Sequence, residues 1–228
     1  TFNTEIMTEI GKVIGNNCLE ADIACLYGPG NNIHRTPYGG RNFEYYSEDG
    51  FLSGMMSAYE VKAIQDKGVH VVMKHFALND CEQDRIGLGV WLNEQAAREV
   101  YLKAFQAPVE VGNANGVMIA YTRWGAVWSG GNYGLVTGIL RREWGYDGLV
   151  MTDWWMQPCT DPDFPALWND AYRLRAQVDV LMPGSNAFED PTMDPSALES
   201  LKKETGLTLG EMQRSAKNVL KLCARLKG

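Results

Sequence analysis

The chain has 228 residues, 45% hydrophobic and 21% charged, with a formal charge of −7 and an isoelectric point near 5.0. That composition is of a globular chain forming one large domain or two small ones, and it argues against nucleic-acid or anionic-membrane partners, because no basic stripe is present to neutralise phosphates. No apolar run reaches the roughly 18 residues of a membrane span, and the cysteines at 18, 25, 81, 159 and 223 form no Cys-x-x-Cys pair; a zinc site is not expected, and buried free thiols favour a reducing compartment such as the cytoplasm without fixing a location.

The first residue is Thr1, and a helical pattern of Glu5, Ile6, Ile10, Val13 and Ile14 begins almost at once. The chain is therefore expected to belong to something longer, and its lack of a signal peptide says little about where that protein resides. Periodicity predicts a helix over 4–20, a strand over 22–27 ending in Gly28-Pro29-Gly30, a helix over 50–67 and a strand over 69–76. The rhythm repeats with a helix over 93–111, a strand over 116–121, a helix over 135–144 and a strand over 149–152. A short strand over 178–181 precedes Pro183-Gly184, and the end is helical over 195–205 and again from the capping sequence Thr208-Leu209-Gly210-Glu211 to Leu226. Alternating strands and helices imply α/β architecture, a parallel sheet covered by helices, as an open doubly wound sheet or a barrel. About five strands are encoded, fewer than a complete eight-strand barrel needs.

The strand ends carry the chemistry. Gly145-Tyr146-Asp147-Gly148 turns into a buried strand whose C-terminal end is Thr152-Asp153-Trp154-Trp155. A carboxylate there, flanked by indoles that pack on apolar sugar faces, suits a nucleophile or general base; a strand-end Asp capping the next helix is the plainer reading. Lys74 and His75 follow Val-Val-Met, where a buried charge costs several kcal/mol unless paired. Neighbours on a regular strand point to opposite faces, so both reach one ligand only if the backbone departs from regularity, with a cis peptide at or just after the pair as one form. Lys74 as a charge partner anchoring a loop carboxylate is the alternative.

Gly28-Pro29-Gly30-Asn31-Asn32-Ile33-His34-Arg35, Gly39-Gly40-Arg41-Asn42-Phe43-Glu44-Tyr45-Tyr46-Ser47-Glu48-Asp49, Lys74-His75-Phe76, Met118-Ile119-Ala120-Tyr121 and Asp153-Trp154 occur in that order. Together with the helix Glu94 to Leu102 and the segment Leu140 to Gly148, they resemble glycoside hydrolase family 3, the β-glucosidase-like enzymes, over most of the chain. The resemblance implies a parallel (β/α) barrel of the TIM type, incomplete here, with residues 1–228 as one partial N-terminal catalytic barrel domain. It implies a retaining exo-acting β-glycosidase with Asp153 as nucleophile and Arg41, Lys74, His75, Tyr121 and Trp154 binding the terminal sugar of a small glycoside, glucose or a relative such as xylose. No cofactor, metal, nucleic acid or membrane is implied.

Such a mechanism needs a second carboxyl roughly 5 to 5.5 Å from the first. The family's N-acetylglucosaminidase branch carries a catalytic His in a glycine-rich loop after the Lys-His pair; here Asn79-Asp80-Cys81-Glu82-Gln83-Asp84-Arg85 follows instead. The resemblance is thus to the β-glucosidase branch, whose acid/base Glu lies on a separate C-terminal α/β domain. That domain, and an N-terminal barrel segment with its Asp-Gly-Pro motif, are expected in the parent protein. A catalytically incomplete fragment is the alternative, and a phosphate-site α/β binding module is a further one. Thr122-Arg123-Trp124 stands where the family usually has Asn after the tyrosine, Trp124 and Trp128 are candidate sugar platforms, and the proline-rich stretch 154–170 either shapes the aglycone side or is a solvated connection. Glu48 or Asp49 is expected as a helix cap or an Arg41 partner, and the Tyr121 hydroxyl is positioned to orient Asp153.

Overall fold

A computed structural model of the chain describes residues 2–154, 167, 169–182 and 195–226. Trp155, most of the proline-rich stretch, Cys159 and Pro183-Gly184 lie outside the described residues.

Helix α1 (Thr4–Glu20) is opened by Asn3, whose side-chain oxygen accepts the Glu5 and Ile6 N–H groups at 2.8 and 3.2 Å. Its buried face, Met7, Gly11, Gly15 and Cys18, recurs at helical spacing. β1 (Cys25–Leu26) and helix α2 (Gly50–Gln65) follow, with α2 capped by Asp49, which accepts the Leu52 N–H at 2.6 Å. Gly11 lets α1 meet α2 closely: a Cβ there would stand 2.6 Å from the Glu60 carbonyl oxygen.

β2 (His70–Val71), β3 (Met73–Phe76) and β4 (Gly89–Val90) precede a helical run made of α3 (Glu94–Ala96), a wider π turn over Ala97–Tyr101 and α4 (Lys103–Glu110). β5 (Gly116–Ile119), the hairpin of β6 (Arg123–Trp124) and β7 (Val127–Trp128), a π-wound helix over Gly134–Glu143 and β8 (Leu149–Thr152) come next. α5 (Asn169–Arg175), α6 (Ser196–Ser200) and α7 (Leu209–Arg225) end the chain, and α7 starts at the Thr208/Glu211 capping box expected from the sequence.

The parallel pairings run β1–β2 and β3–β5–β8, extended by single bridges from Gly30 to Lys74 and from Met151 to Val180. Apart from β4, β6 and β7, which form a separate small sheet, the strands pair in chain order, a sequentially wound mixed α/β array without the order reversal of a doubly wound sheet. Among the described residues no pairing returns from Val180 to β1, so the array is open. Every residue of β5 and β8 is buried, as in a parallel sheet covered on both faces. Val117, Ile119 and Val150 pack into the large core with Phe76, Phe105 and Leu140, whereas Met118 and Met151 turn to a second cluster with Val72 on the opposite face.

Three differences from the sequence reading have local causes. The strand expected over 69–76 is broken: Met73 pairs with Val117 and Phe76 with Ile119, so β3 uses one more residue than β5 across the same interval. The strand expected over 178–181 reduces to the Val180 bridge. A small three-stranded sheet, β4–β6–β7, was not predicted; its hairpin turns at Gly125, with φ +62, and two-residue strands leave no periodicity to read. The thiols of Cys18, Cys25, Cys81 and Cys223 are free, but only Cys18 is buried, which corrects the expectation of uniformly buried cysteines.

Candidate active site

β8 delivers Asp153 to the carboxyl edge of the array, one residue past Thr152, which pairs with Ile119. β3 delivers Lys74 and His75 inside its extra-residue stretch, with cis peptides at Lys74-His75 and Phe76-Ala77. Tyr121 lies two residues beyond β5. Arg41 opens a 3-10 turn, Asn42–Glu44, in the loop between β1 and α2. Arg41, Lys74, His75, Tyr121, Asp153 and Trp154 all line one cavity of about 620 Å³. Tyr27, Glu82, Arg85 and Met118 complete its wall.

The charges are interlocked. Glu44 bonds to Arg41 and stands 3.2 Å from the Lys74 ammonium, while Glu82 takes Arg85 at 2.8 Å and lies 4.0 Å from Arg41. Arg85 also lies over the Tyr121 ring, 4.6 Å from its centroid. Lys74 therefore lines the cavity and pairs with a loop carboxylate at once. The Arg41 partners are Glu44 and Glu82, not Glu48 or Asp49; Asp49 is occupied as the α2 cap.

Asp153 Oδ1 accepts the Trp154 N–H at 2.7 Å, and Oδ2 is 3.9 Å from His75 Nε2. Burial raises its pKa above the ordinary value, opposed by the Trp154 N–H and then by Arg85, Arg41 and Lys74. His75, 2% exposed, is shifted well below the usual histidine range by burial and then by Arg41, Lys74 and Arg85. It is neutral near pH 7, and its approach to Asp153 is not an ion pair. The Tyr121 hydroxyl donates to the Trp154 carbonyl and also lies within hydrogen-bonding reach of the Asp153 carboxylate; burial followed by the Asp153 charge raises its phenol to about 12. Trp154 meets Tyr27 edge to face at 5.1 Å.

Trp128 is not a sugar platform. It is 4% exposed, its indole N–H donates to the Ala120 carbonyl at 2.9 Å, and Arg173 lies over it at 5.2 Å, because the hairpin turns it inward. Trp124 packs partly buried against the core, away from the cavity wall. Arg85 and Glu82 come from the segment Asn79 to Arg85, whose charges the sequence alone does not place in the site. Tyr27 and Met118 had a weaker signal, position at or near a strand end. Among the described residues no group of His, Cys, Asp or Glu is arranged to hold a metal ion, and no helix is long and apolar enough to cross a membrane.

A polar, aromatic-walled cavity at the carboxyl edge of a sequential parallel array is where α/β proteins commonly place a ligand site. The chain belongs to glycosyl hydrolase family 3: the sequence model of the "Glycosyl hydrolase family 3 N terminal domain" matches residues 1–222. It is 40% identical over 220 residues to a beta-glucosidase of Ruminococcus albus, covering 96% of this chain and 23% of that protein. It is also 40% identical over 154 residues to an exo-alpha-(1->6)-L-arabinopyranosidase of Bifidobacterium longum, covering 68% of this chain and 20% of that protein. The structure of beta-glucosidase 3B from Thermotoga neapolitana in complex with alpha-D-glucose superposes with a TM-score of 0.86 at 34% identity, covering 98% of this chain and 30% of that one. A beta-glucosidase from Paenibacillus barengoltzii gives a TM-score of 0.89 at 36% identity, covering 99% and 25%. The chain thus spans between a fifth and a third of the length of these relatives.

Proposed function

We propose that this chain carries the nucleophile half of a retaining, exo-acting β-glycosidase site, and that its sequential parallel array is part of a TIM-type (β/α) barrel. Asp153 attacks the anomeric carbon of a terminal sugar, the glycosidic bond breaks toward the leaving oxygen, and water later releases the sugar from the carboxylate. Arg41 and Lys74 donate to sugar hydroxyls, while Trp154 packs on the ring face.

The observation that carries this reading is the state of the carboxylates. Glu44 and Glu82 are paired directly with cations, whereas among the described residues no Lys or Arg forms an ion pair with Asp153, whose oxygens meet the Trp154 N–H and a neutral imidazole with the Tyr121 hydroxyl and the cations Arg85, Arg41 and Lys74 further round the wall. It is the carboxylate free to form a bond. The reading assigns the proton donor for the leaving group to a residue beyond this cavity wall, on a further domain of the intact protein.

The sugar is glucose or a pentopyranose relative. Both the beta-glucosidase and the arabinopyranosidase names among the relatives support that range. Incubating the intact protein with 2-deoxy-2-fluoro glycosides of each series and mapping the adduct by mass spectrometry tests the proposal. An adduct on Asp153 is expected; adduct formation on another residue, or activity surviving in Asp153→Ala, overturns it. A chain acting only as a sugar-binding or structural fragment would form no adduct.

A further inference from the structure

Asn32 is 1% exposed and grips the His75 backbone from both sides. Its Nδ2 donates to the His75 carbonyl at 3.0 Å, and its Oδ1 accepts the His75 backbone N–H at 2.8 Å. A backbone N–H can only donate and a carbonyl can only accept, so these two bonds fix which end of the amide is oxygen. The same Oδ1 lies 3.3 Å from the His75 ring Nδ1. An amide oxygen has no proton to give, so a proton between the two must sit on Nδ1.

The Tyr45 hydroxyl, 3.4 Å from Nδ1, is arranged to the same end. It donates to the Asn79 carbonyl at 3.3 Å and accepts from Asn79 Nδ2 at 3.2 Å. Its one proton is committed to Asn79, and it turns a lone pair to His75. We infer that Asn32 and Tyr45 are positioning residues that hold His75 as the Nδ1–H tautomer, leaving an unprotonated Nε2 at the cavity, 3.9 Å from Asp153 Oδ2. Burial and the neighbouring cations keep this ring neutral, so the lone pair is available.

Nε2 and the Asp153 carboxylate then face each other as two acceptors. Neither can bond the other, and the space beside them suits a hydroxyl that gives a proton. Resting on the glycosidase reading above, the sugar hydroxyl that meets His75 must act as a donor, whereas those meeting Arg41 and Lys74 must accept. Fluorine cannot donate. Replacing the hydroxyl at His75 by fluorine leaves a buried nitrogen unpaired and is expected to weaken binding about 10- to 100-fold.

The test is a long-range proton–nitrogen correlation spectrum of the intact protein labelled with ¹⁵N-histidine. His75 is assigned by its loss in His75→Gln or, if that variant does not fold, in His75→Asn. The expected pattern is a protonated Nδ1 and an unprotonated Nε2. The reverse pattern overturns the inference. In Tyr45→Phe the Nε2–H share should grow; an unchanged share overturns the part given to Tyr45. The spectrum does not depend on Asp153 chemistry: an Asp153 adduct together with an Nε2–H ring defeats this inference alone, and an Nδ1–H ring without any adduct defeats the nucleophile reading alone.

Discussion

Asn31 donates its side-chain amide to the Ala104 carbonyl at 2.8 Å, the carbonyl that would pair with the backbone N–H of residue 108 if that residue were not Pro108. Proline has no N–H to give the carbonyl four residues back, so α4 offers an acceptor on its surface. Asn31 takes it and also exchanges hydrogen bonds with Ser57 of α2 at 2.8 and 3.1 Å. Next along the chain, Asn32 holds His75. A proline in one helix thus helps fix the loop that positions a cavity histidine.

Asn31→Ala removes the donor to the Ala104 carbonyl and both hydrogen bonds with Ser57 in a buried place. The expected cost is about 1–3 kcal/mol of unfolding free energy, read from urea denaturation, together with weaker glycoside binding as the loop loosens.

Asp153 must be ionised to attack, so activity is expected to fall as pH drops through its raised pKa, with the acid limb of kcat/KM above the ordinary Asp value of 3.8. Arg85 is first among the cations opposing that rise. Arg85→Met should move the acid limb to higher pH, measured as a pH–rate profile on the intact protein.

Glu44 holds Arg41 and Lys74 together. Glu44→Gln removes the charge that fixes both donors, and a rise of about tenfold in KM with a smaller change in kcat is expected from steady-state kinetics.

Asp80 accepts the Ile33 N–H at 2.6 Å, yet burial raises its pKa to about 7, against the pull of that N–H and of Arg35. A carboxyl that holds its proton more tightly folded than unfolded favours folding most below pH 4, and that contribution is lost as pH rises toward 7. Asp80→Asn keeps an acceptor for Ile33 without the titration. It should flatten the decline in stability between pH 4 and 7 by at least about 1 kcal/mol, read from denaturation at both ends of the window.

His70 is buried on β2 with no hydrogen-bond partner for either ring nitrogen among the described residues, and burial followed by the Arg225 charge lowers its pKa to about 4. The unfolded chain takes up this proton first, so stability is lost as pH falls from 6.5 toward 4. His70→Leu should raise the melting temperature more at pH 5 than at pH 8, measured by thermal denaturation at both.

The long elements were legible because their signals are local. Asn3, Asp49 and Thr208/Glu211 mark helix starts, and the all-apolar Leu149 to Met151 reads as a strand wherever it is placed. The wall residues Arg41, Lys74, His75, Tyr121, Asp153 and Trp154 were likewise readable, as polar or aromatic groups at strand ends and in ordered motifs. What Trp128 does was not. Its glycine-rich surroundings suggest exposure, and only the fold of the hairpin sends the indole to the Ala120 carbonyl.

The sequence by itself determined the alternation of helix and strand, the family, and which side chains meet at one edge of a parallel array, because periodicity, caps and strand ends are written within a few residues of each other. Tertiary structure alone decided who pairs with whom. Glu44 rather than Glu48 or Asp49 takes Arg41, Tyr121 turns to the Trp154 carbonyl, and Asn32 faces both backbone groups of His75 across 43 positions of chain. Hydrogen bonds and ion pairs depend on distances of a few ångströms between segments far apart in sequence, and no local pattern encodes those distances.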